Sequence, residues 1–458
     1  MTTGLWTVGR VAHALTARLA GAVSAPSAGA ERPLGRISTD TRTLQPGDVF
    51  VAIVGERFDA HDFLADAIAA GARGLVVSRD VQIDTGDPAV FRVDDTLLAL
   101  GDLARFQRTV WGGVVIAVAG SNGKTSTKEL LRAALESTLT VHATAGNLNN
   151  RIGVPLTLLA LPADADVAVV ELGTSIPGEI ALLRDIVRPD IAIVTSIAEE
   201  HLEGFGDLAG VLREESSVFH GVAVGIVPAH DDALAAAATS AGRLVRAGLD
   251  DGDVRADSWR LEQDGTGTVV VNGVTIHSPM RGAHNLRNLM LAIAAAGEVG
   301  VDAADAAVGI GTLVPPPMRA NWQHIGNALV INDAYNSNPG SAIAAIEMLA
   351  AAPGEQRVAL LGSMLELGAD SGQCHETVAR AALASPADLI GGVGEFAIAL
   401  QRIAPGDPRV IVRDDVDELW VALEPHLRRD ATILLKASRG AKLERMIPHI
   451  TSWANRDC

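Results

Sequence analysis

The chain is poor in cysteine, in aromatic side chains and in positive charge. Its 458 residues include 2 cysteines, and aromatic residues make up 3% of the total. Two cysteines are too few for a disulfide framework or a zinc cluster, which is typical of proteins of a reducing cytosol. Lys and Arg number 37 against 55 Asp and Glu, a formal net charge of −18. This negative charge argues against broad binding to nucleic acid or to anionic membranes.

Long apolar runs are also missing. The N-terminal residues lack the apolar segment of a signal peptide, and no stretch reaches membrane-spanning length. A composition of 48% hydrophobic and 20% charged residues is typical of an ordered protein, and the length suits two to four domains. We therefore expect a cytoplasmic protein without nucleic-acid partners or membrane insertion, and a monomer.

Residues 114–131, VVIAVAGSNGKTSTKELL, predict a buried strand, a turn and a helix from Thr127 onward. Glycines allow the backbone of such a turn to wrap a phosphate, and the helix N-terminus adds positive potential. Lys124 can neutralise β- and γ-phosphate charge, and the Thr125 hydroxyl can hold Mg²⁺. The full phosphate-loop pattern has Gly where this chain has Val118, so the loop is shortened. The alternative is an ordinary strand–helix turn with a surface lysine. The residues expected to contact ATP here are Gly120, Ser121, Asn122, Gly123, Lys124, Thr125 and Ser126.

Two further polar residues follow apolar strands of the same region. Glu171 closes the strand 166–170, and His201 follows the strand 191–197. Ligands of open α/β sheets bind beyond the carboxyl ends of the strands, and an acid and an imidazole suit Mg²⁺ at that edge. Taken singly, Glu171 could instead cap a helix and His201 could form an ordinary loop hydrogen bond.

Turn and linker signals elsewhere in the sequence divide the chain into three predicted domains. Residues 1–112 predict a small N-terminal α/β domain in which Ser38, Asp40 and Arg42 are either binding or turn residues. Residues 113–314 predict a central, mainly parallel, doubly wound sheet of P-loop type, with a hairpin near Asn272 and Gly273. Three prolines at residues 315–317 predict a linker. Residues 315–458 predict a Rossmann-like α/β domain that lacks a G-x-G-x-x-G turn.

Eight spaced motifs resemble the Mur ligase family. They are GSNGKTSTKE (120–129), GNLNNRIGVPLTLL (146–159), ELGTSIPGEI (171–180), EEHLEGFG (199–206), GAHNLRN (282–288), NDAYNSNP (332–339), LGSMLELG (361–368) and LKASRG (435–440). The N-terminal STDTRTLQPGDVFVAIVG and DAHDF are similar to the uridine-nucleotide-binding domain found in part of this family. The resemblance covers nearly the whole chain. It is nearest to the branch whose amine substrate is D-Ala-D-Ala.

The resemblance implies an ATP-dependent amide ligase. ATP phosphorylates the terminal carboxylate of a UDP-MurNAc-tripeptide, and the amine of D-Ala-D-Ala attacks the acyl phosphate. Lys124, Glu171 and His201 would be catalytic, with Thr125, Glu171 and His201 as Mg²⁺ ligands. Asn288 and Asp333 match positions that contact adenine and ribose, and Arg319 matches one that reaches the phosphates. Substrate-side positions are matched by Ser38, Asp40, Asn147, Asn150, Arg151 and Thr174, and the amine-substrate pocket by Tyr335, Asn336 and Asn338.

Two departures from the family pattern carry separate predictions. Many members have a carbamylated lysine about fourteen residues after the position of His201, and this chain has Glu215 there. We expect Glu215 to supply the carboxylate to Mg²⁺ directly, the alternative being a solvated helix glutamate beside Glu214. The second departure, at residues 174–176, leaves the substrate contacts of Thr174 open.

Two other functions remain as alternatives. One is a sister amide ligase of the MurE type or of the folylpolyglutamate synthetase type. The N-terminal uridine-type module disfavours the folate branch, and NDAYNSNP in place of D-N-P-R disfavours MurE. The other is a non-catalytic ATP-binding scaffold, which the presence of Lys124, Thr125, Glu171 and His201 disfavours. The sequence leaves open the third residue of the tripeptide, meso-diaminopimelate or lysine, the oligomeric state and the kinetic order.

Overall fold

The computed structural model of the protein describes residues 5–21, 29–55, 58–81 and 88–456. The chain forms two compact units. The first comprises residues 1–115, 142–172 and 182–189, and the second comprises residues 116–141, 173–181 and 190–458. The division falls inside the central stretch 113–314, whose residues belong to both units.

The N-terminal part of the first unit is a small α/β module, as the sequence predicts. Its helix α3 (Thr96–Trp111) is capped by Asp95, whose carboxylate accepts hydrogen bonds from the N–H groups of Leu97 and Leu98, and is followed by Gly112 in the left-handed conformation. Strands β1 to β4 form a parallel sheet in sequence order. The elements are α1 (Val8–Ala14), β1 (Ile37–Ser38), β2 (Val49–Val51), a 3₁₀ turn (Ala60–Phe63), α2 (Leu64–Ala69), β3 (Gly74–Val77), β4 (Ala89–Arg92) and α3 (Thr96–Trp111).

The central stretch alternates strands and helices, and its strands are buried apolar segments. In the second unit β5, β8, β9, β10 and β11 are neighbours in that order and run parallel, while β6 and β7 are neighbours in the first. The elements are β5 (Val114–Ala119), α4 (Lys124–Leu135), β6 (Val141–Ala143), α5 (Gly153–Leu159), β7 (Val167–Glu171), α6 (Glu179–Val187), β8 (Ile191–Val194), α7 (Leu202–Phe205), α8 (Leu208–Ser216), a 3₁₀ turn (Ser217–Phe219), β9 (Val224–Pro228), α9 (Asp232–Ala237), β10 (Arg243–Gly248) and β11 (Val254–Arg255).

A small antiparallel sheet and two helices follow. Strands β12 (Ser258–Leu261), β13 (Gly267–Val271) and β14 (Val274–Ser278) pair in sequence order. The turn between β13 and β14 has Asn272 and Gly273 at φ 51° and 76°, which confirms the predicted hairpin. The next helices are α10 (Ala283–Glu298) and α11 (Ala303–Gly311), and α10 packs against α4.

The C-terminal stretch is a second doubly wound sheet, which confirms the prediction. Its strand order is β15-β16-β20-β17-β18-β19, with β15 antiparallel and the others parallel. The elements are β15 (Asn321–Ile325), β16 (Ala328–Asp333), α12 (Pro339–Ala351), β17 (Arg357–Leu361), a 3₁₀ turn (Gly368–Asp370), α13 (Ser371–Ala384), β18 (Leu389–Val393), α14 (Glu395–Ile403), β19 (Val410–Arg413), α15 (Val416–Leu423), a 3₁₀ turn (Glu424–His426), β20 (Thr432–Lys436), 3₁₀ turns (Arg439–Ala441, Leu443–Arg445) and α16 (Met446–Ala454).

One apolar cluster of the second unit joins residues from both sides of the predicted linker. Leu202, Phe205 and Val211 belong to the same buried cluster as Met364 and Leu367. Residues 315–317 themselves have no helix or strand. The three domain boundaries 1–112, 113–314 and 315–458 stay a prediction, because the compact units follow a different division.

Candidate active site

The turn after β5 has the shape that its glycines allow. Gly120 and Gly123 have φ of 115° and 86°, the region that favours glycine. A Cβ on Gly120 would lie 2.5 Å from the Oγ1 of Thr195, and one on Gly123 would lie 2.7 Å from the Oδ1 of Asn288. Helix α4 begins at Lys124, three residues earlier than predicted, because Gly123 turns the chain directly into the first helical residue. Only glycine therefore fits at these two positions.

The first three backbone N–H groups of the turn donate hydrogen bonds to neighbouring residues of the second unit. Gly120 N–H donates to the Oε2 of Glu215 at 2.7 Å. Ser121 N–H donates to the carbonyl of Ser196 at 2.8 Å, and Asn122 N–H to the Oγ of Ser196 at 2.9 Å. Donors for an anion are therefore expected at the first turn of α4, where Thr125 and Ser126 are buried.

The ammonium of Lys124 lies across the turn. Its Nζ donates to the carbonyls of Gly120 and Ser121, the latter at 3.2 Å, and lies 3.8 Å from the Oε1 of Glu200. Burial, opposed by the Lys124 charge, raises the pKa of Glu200 to about 8. Glu200 was not predicted as a site residue, because in the sequence it is one of two consecutive loop acids before His201.

Two consecutive glutamates of α8 hold two different loops. Glu215 is fully buried, its Oε2 binds Gly120, and its Oε1 has no hydrogen-bond partner among the described residues. Burial raises the pKa of Glu215. Glu214 accepts bonds from Thr174 Oγ1 at 3.2 Å and from the N–H groups of Gly178 and Ile180 at 2.8 Å. The alternative of a solvated glutamate at 215 is wrong.

His201 is held in a strained backbone conformation at the start of α7. Its φ is 51°, a value uncommon for residues other than glycine. The Nδ1 atom contacts the carboxylate of Glu366, and the ring meets Phe205 edge-on. Burial lowers the pKa of His201, against the opposing charge of Glu366. Glu366 also has a positive φ, of 64°, and was not predicted as a site residue.

The residues predicted from the C-terminal stretch contact the turn and one another. Asn122 and Asn338 exchange two amide hydrogen bonds, of 3.2 and 2.9 Å. Asp333 accepts from the N–H of Ala320 at 3.0 Å and pairs with the buried Lys436 at 2.7 Å. Lys436 also donates to the carbonyl of Asn336 at 2.8 Å.

Arg319 and Asn288 complete the set in the second unit. The guanidinium of Arg319 lies 4.1 Å from the ring centre of Tyr335, the only tyrosine of the chain. Asn288 lies on α10, donates to Asn285 at 3.1 Å and faces Gly123. The second unit therefore brings together residues 120–126, His201, Glu215, Asn288, Arg319, Asp333 and Asn338 through a continuous series of contacts.

In the first unit, Glu171 is the last residue of β7, as predicted, and is 1% exposed. Its Oε1 accepts from the side-chain amide of Asn149 at 2.9 Å. Asn147 and Asn150 are exposed, and Asn150 Oδ1 accepts from the N–H groups of Ile152 and Gly153 at the start of α5.

Arg151 lines a cavity of about 120 Å³ in the first unit. Arg18 and Asp102 also line this cavity, and they form an ion pair at 2.5 Å. The buried Nε of Arg151 has no hydrogen-bond partner among the described residues. A substrate contact of Arg151 stays a prediction.

Ser38 and Asp40 form a local turn, also in the first unit. Ser38 Oγ accepts from the N–H of Asp40 at 3.2 Å, and Asp40 forms two short bonds with the Arg42 guanidinium. The Arg42 side chain lowers the pKa of Asp40 to about 2. These contacts match the turn interpretation, and substrate contacts of Ser38 and Asp40 stay a prediction.

A strand, a glycine turn and a helix that begins with Lys-Thr define a P-loop-type nucleotide-binding α/β protein. Three family models match it: the Mur ligase family catalytic domain over residues 34–142, the Mur ligase middle domain over 118–296, and the Mur ligase glutamate ligase domain over 318–439. The chain belongs to the Mur ligase family.

Individual relatives match nearly the whole chain. It is 38% identical over 432 residues to the UDP-N-acetylmuramoyl-tripeptide–D-alanyl-D-alanine ligase of Escherichia coli (strain K12), covering 92% of this chain and 94% of that protein. The crystal structure of MurF from Acinetobacter baumannii matches with a TM-score of 0.88 and 32% identity, over 98% and 99% of the two chains. MurF from Thermotoga maritima, solved in complex with ADP, matches with a TM-score of 0.82 and 26% identity, over 92% and 98%. The three-domain α/β architecture expected from the sequence is thereby confirmed.

Two features are absent from the described residues. No helix among them is both long and apolar enough to cross a lipid bilayer. Nor does any group of three His, Cys, Asp or Glu side chains in that part of the chain have the arrangement of a metal site.

Proposed function

We propose that the protein ligates D-Ala-D-Ala to UDP-MurNAc-tripeptide in peptidoglycan precursor synthesis, with ATP as the energy source. The observation that carries this function is the glycine turn with Lys124 beside a cavity lined by His201, Asn336 and Asn338. The UDP-N-acetylmuramoyl-tripeptide–D-alanyl-D-alanine ligase of Escherichia coli is 38% identical, and the Thermotoga maritima relative was solved with ADP.

The proposed reaction has two steps. A carboxylate oxygen of the tripeptide attacks the γ-phosphorus of ATP, the bond to the bridging oxygen breaks, and ADP leaves. The amine nitrogen of D-Ala-D-Ala then attacks the acyl carbon, loses a proton, and the carbon–oxygen bond to phosphate breaks. Lys124 would stabilise the transferring phosphoryl group by charge, since this chemistry depends mainly on positioning and electrostatics.

The donor set fits Mg²⁺, which prefers oxygen ligands and binds through one or two carboxylates together with substrate phosphates and water. Thr125 and Glu171 would hold one Mg²⁺ and His201 a second, with Glu215 as a further carboxylate ligand. The unpartnered Oε1 of the buried Glu215 supports its assignment. When bound, Mg²⁺ would neutralise phosphate charge.

The remaining roles are also proposals. Asn288, Arg319 and Asp333 would contact the nucleotide, and Tyr335, Asn336 and Asn338 the amine substrate. Ser38, Asp40, Asn147, Asn150, Arg151 and Thr174 would lie on the UDP-sugar side. We also propose that the protein is a monomer and that it is located in the cytoplasm. The cytoplasmic location agrees with the presence of two cysteines in 458 residues.

Phosphate release tests the function. UDP-MurNAc-tripeptide and ATP are mixed with the enzyme, with and without D-Ala-D-Ala, and we expect release and a new amide only when both substrates are present. Lys124→Met should lower the rate about 100-fold or more, because a charged group at the reacting phosphate is lost. Release with a diamino acid and the dipeptide precursor would instead indicate a MurE-type ligase. No release with any pair would indicate a scaffold.

A further inference from the structure

A cavity of about 180 Å³ in the second unit has lining residues that the proposed mechanism does not use. Five of them matter here, Glu200, Ser337, Glu366, Ser438 and Arg439, and they lie beside His201, which the mechanism does use. They come from four places in the chain: the loop before α7 and the loops after β16, β17 and β20. The cavity therefore lies where the carboxyl ends of several strands converge, which is the usual ligand position in such sheets.

The acidic part of the lining is next to the phosphate turn. Glu200 lies 3.8 Å from the Nζ of Lys124. The carboxylate of Glu366 contacts His201. A positively charged group in the cavity would meet the carboxylate of Glu366 beside His201 and Glu200, at the end of the cavity next to Lys124.

Arg439 supplies the only cationic side chain of the lining besides His201. Among the described residues it forms no ion pair with a carboxylate, and its one side-chain hydrogen bond is a 3.7 Å contact with the sulfur of Met318. Its guanidinium lies 5.7 Å from the ring centre of Tyr335, a ring that also meets Arg319. Arg439 is exposed, so a ligand can reach it.

A second observation points to a ligand in the same cavity. Ser337 is 3% exposed, and its Oγ has no hydrogen-bond partner among the described residues. Buried hydroxyls are nearly always hydrogen-bonded in native proteins, so an unpaired one in a cavity wall indicates a group that binds there. The neighbouring Ser438 Oγ accepts a hydrogen bond from the N–H of Leu365 at 3.0 Å, which joins two of the loops that line the cavity.

We propose that Arg439 is the specificity-determining residue that binds the terminal carboxylate of the D-Ala-D-Ala substrate. The planar guanidinium can donate two parallel hydrogen bonds to a carboxylate, a geometry that lysine cannot reproduce. This inference rests on the proposed function and adds the group that recognises the end of the dipeptide remote from the new bond.

The charges of the lining also set the direction of the dipeptide. Its amine must reach the acyl carbon beside Lys124, which places it near Glu200, His201 and Glu366. Its carboxylate then meets Arg439. Both ends of a small zwitterion would therefore meet side chains of complementary charge. A dipeptide with a neutral C-terminus would lose the interaction with Arg439.

The experiment compares two amine substrates, D-Ala-D-Ala and its C-terminal amide, with wild-type enzyme and with Arg439→Met. Wild-type kcat/KM should favour the free carboxylate by about 10- to 100-fold, the range expected for a charged hydrogen-bonded pair. Arg439→Met should lower kcat/KM for D-Ala-D-Ala by a similar factor and leave that for the amide within about twofold. Arg439→Lys should fall between them. Thermal unfolding of each variant checks that it is folded.

Two controls separate this role from general damage. Arg402→Met removes an exposed arginine of α14 that pairs with Glu376 at 2.8 Å, and it should keep the wild-type preference. Arg319→Met, on the same tyrosine ring, should raise the KM for ATP while keeping the preference for the free carboxylate. If wild-type enzyme ligates D-Ala-D-Ala but Arg439→Met loses activity equally with both amines, or loses none, the inference is overturned and the proposed function stands. If wild-type enzyme ligates neither amine, both fail.

Discussion

Glu214 and Glu215 are consecutive residues, yet each carboxylate serves a different loop. Glu215 accepts from Gly120 in the phosphate turn, and Glu214 accepts from Thr174, Gly178 and Ile180. Both oxygens of Glu214 are occupied by donors. An amide there would turn one of its two oxygens into a donor that faces another donor, which is costly in a buried site.

We therefore predict that Glu214→Gln raises the KM for UDP-MurNAc-tripeptide about 10-fold and leaves the KM for ATP within about twofold. The adjacent Glu215→Gln is the matched variant. It should raise the Mg²⁺ concentration needed for half-maximal rate and leave the KM for the tripeptide unchanged. Steady-state kinetics with each substrate varied in turn measures both. Normal activity of Glu215→Gln at limiting Mg²⁺ would refute the metal role of Glu215.

His375 is a second buried titratable residue, with a purely structural set of contacts. Its Nε2 accepts from the N–H of Met364 at 2.9 Å, its Nδ1 donates to the carbonyl of Ser371 at 2.7 Å, and its ring meets Phe396 edge-on. Burial lowers the pKa of His375 below its ordinary value. The folded protein therefore favours the neutral form of the His375 imidazole.

This arrangement predicts a pH-dependent stability. The unfolded chain takes up the His375 proton more readily than the folded chain, so the contribution is fully present above pH ~6.5 and is lost as pH falls below that value. His375→Gln should be less stable by about 1–3 kcal/mol at pH 7.5 but should lose less stability between pH 7 and pH 5. Urea unfolding at several pH values measures this. The exposed His220→Gln should follow the wild-type profile, and parallel profiles for wild type and His375→Gln would contradict the prediction.

The sequence pattern around Glu214 and Glu215 indicates that both residues are buried. Val211, residues 214 and 215, and Val218 have the spacing of one inward helix face, and all four positions are buried. Glu215 was predicted as a Mg²⁺ ligand, with a solvated helix glutamate beside Glu214 as the alternative, and the burial of Glu214 was not predicted. Glu366 is different, because it meets His201 from a loop 165 residues away and no local pattern predicts such a contact. Lys436 and Asp333 each close an apolar strand, but their pairing depends on β16 and β20 being neighbours.

At the scale of elements, the start of α12 joins helix capping to the phosphate turn. Asn338 accepts from the N–H of Ser341 at 3.0 Å and donates its own N–H to the Ser341 Oγ at 3.1 Å, a capping box. The same side chain exchanges two bonds with Asn122. One amide thus stabilises a helix and contacts the nucleotide turn.

Two substitutions separate these roles. Asn338→Ala should cost about 1 kcal/mol of stability through the lost cap and should also impair catalysis. Asn338→Asp keeps a good cap but replaces the donor to Asn122 with a negative charge, so it should keep the wild-type melting temperature and raise the KM for ATP about 10-fold. Thermal unfolding and ATP kinetics are the two measurements. An Asn338→Asp enzyme with unchanged ATP kinetics would show that the amide pair has no role in nucleotide binding.

Element ends were predicted less well than element identities, for reasons visible at single residues. The strand predicted to reach Ile197 ends at Val194, because Thr195 and Ser196 use their side chains to hold the phosphate turn. Helix α4 starts early because Gly123 adopts a left-handed conformation, which the sequence alone leaves open.

At the scale of the molecule, the stretches 113–314 and 315–458 meet within the second unit. Leu202 and Phe205 share an apolar cluster with Met364 and Leu367, and Asn122 contacts Asn338. Asn338 also lines the cavity that contains His201 and Arg439. Closure of such a cavity would exclude water and protect an acyl phosphate from hydrolysis.

We predict that these two stretches open and close around the linker at residues 315–317 during turnover. Small-angle scattering should give a smaller radius of gyration when a non-hydrolysable ATP analogue and UDP-MurNAc-tripeptide are added. Lys124→Met, which lacks the phosphate-binding ammonium, should respond less at the same concentrations. Identical curves with and without ligands in the wild-type enzyme would rule the motion out.

The two glutamates of α8 also limit how the gene can change in length. An α-helix turns by about 100° per residue, so one residue inserted between Asp207 and Glu214 would rotate both carboxylates away from their loops together. The same insertion between β12 and β13, where residues 262–266 form an exposed loop, would move neither. In an insertion scan, we therefore expect single-residue insertions in α8 before Glu214 to abolish activity, because each one displaces the carboxylates that hold two loops.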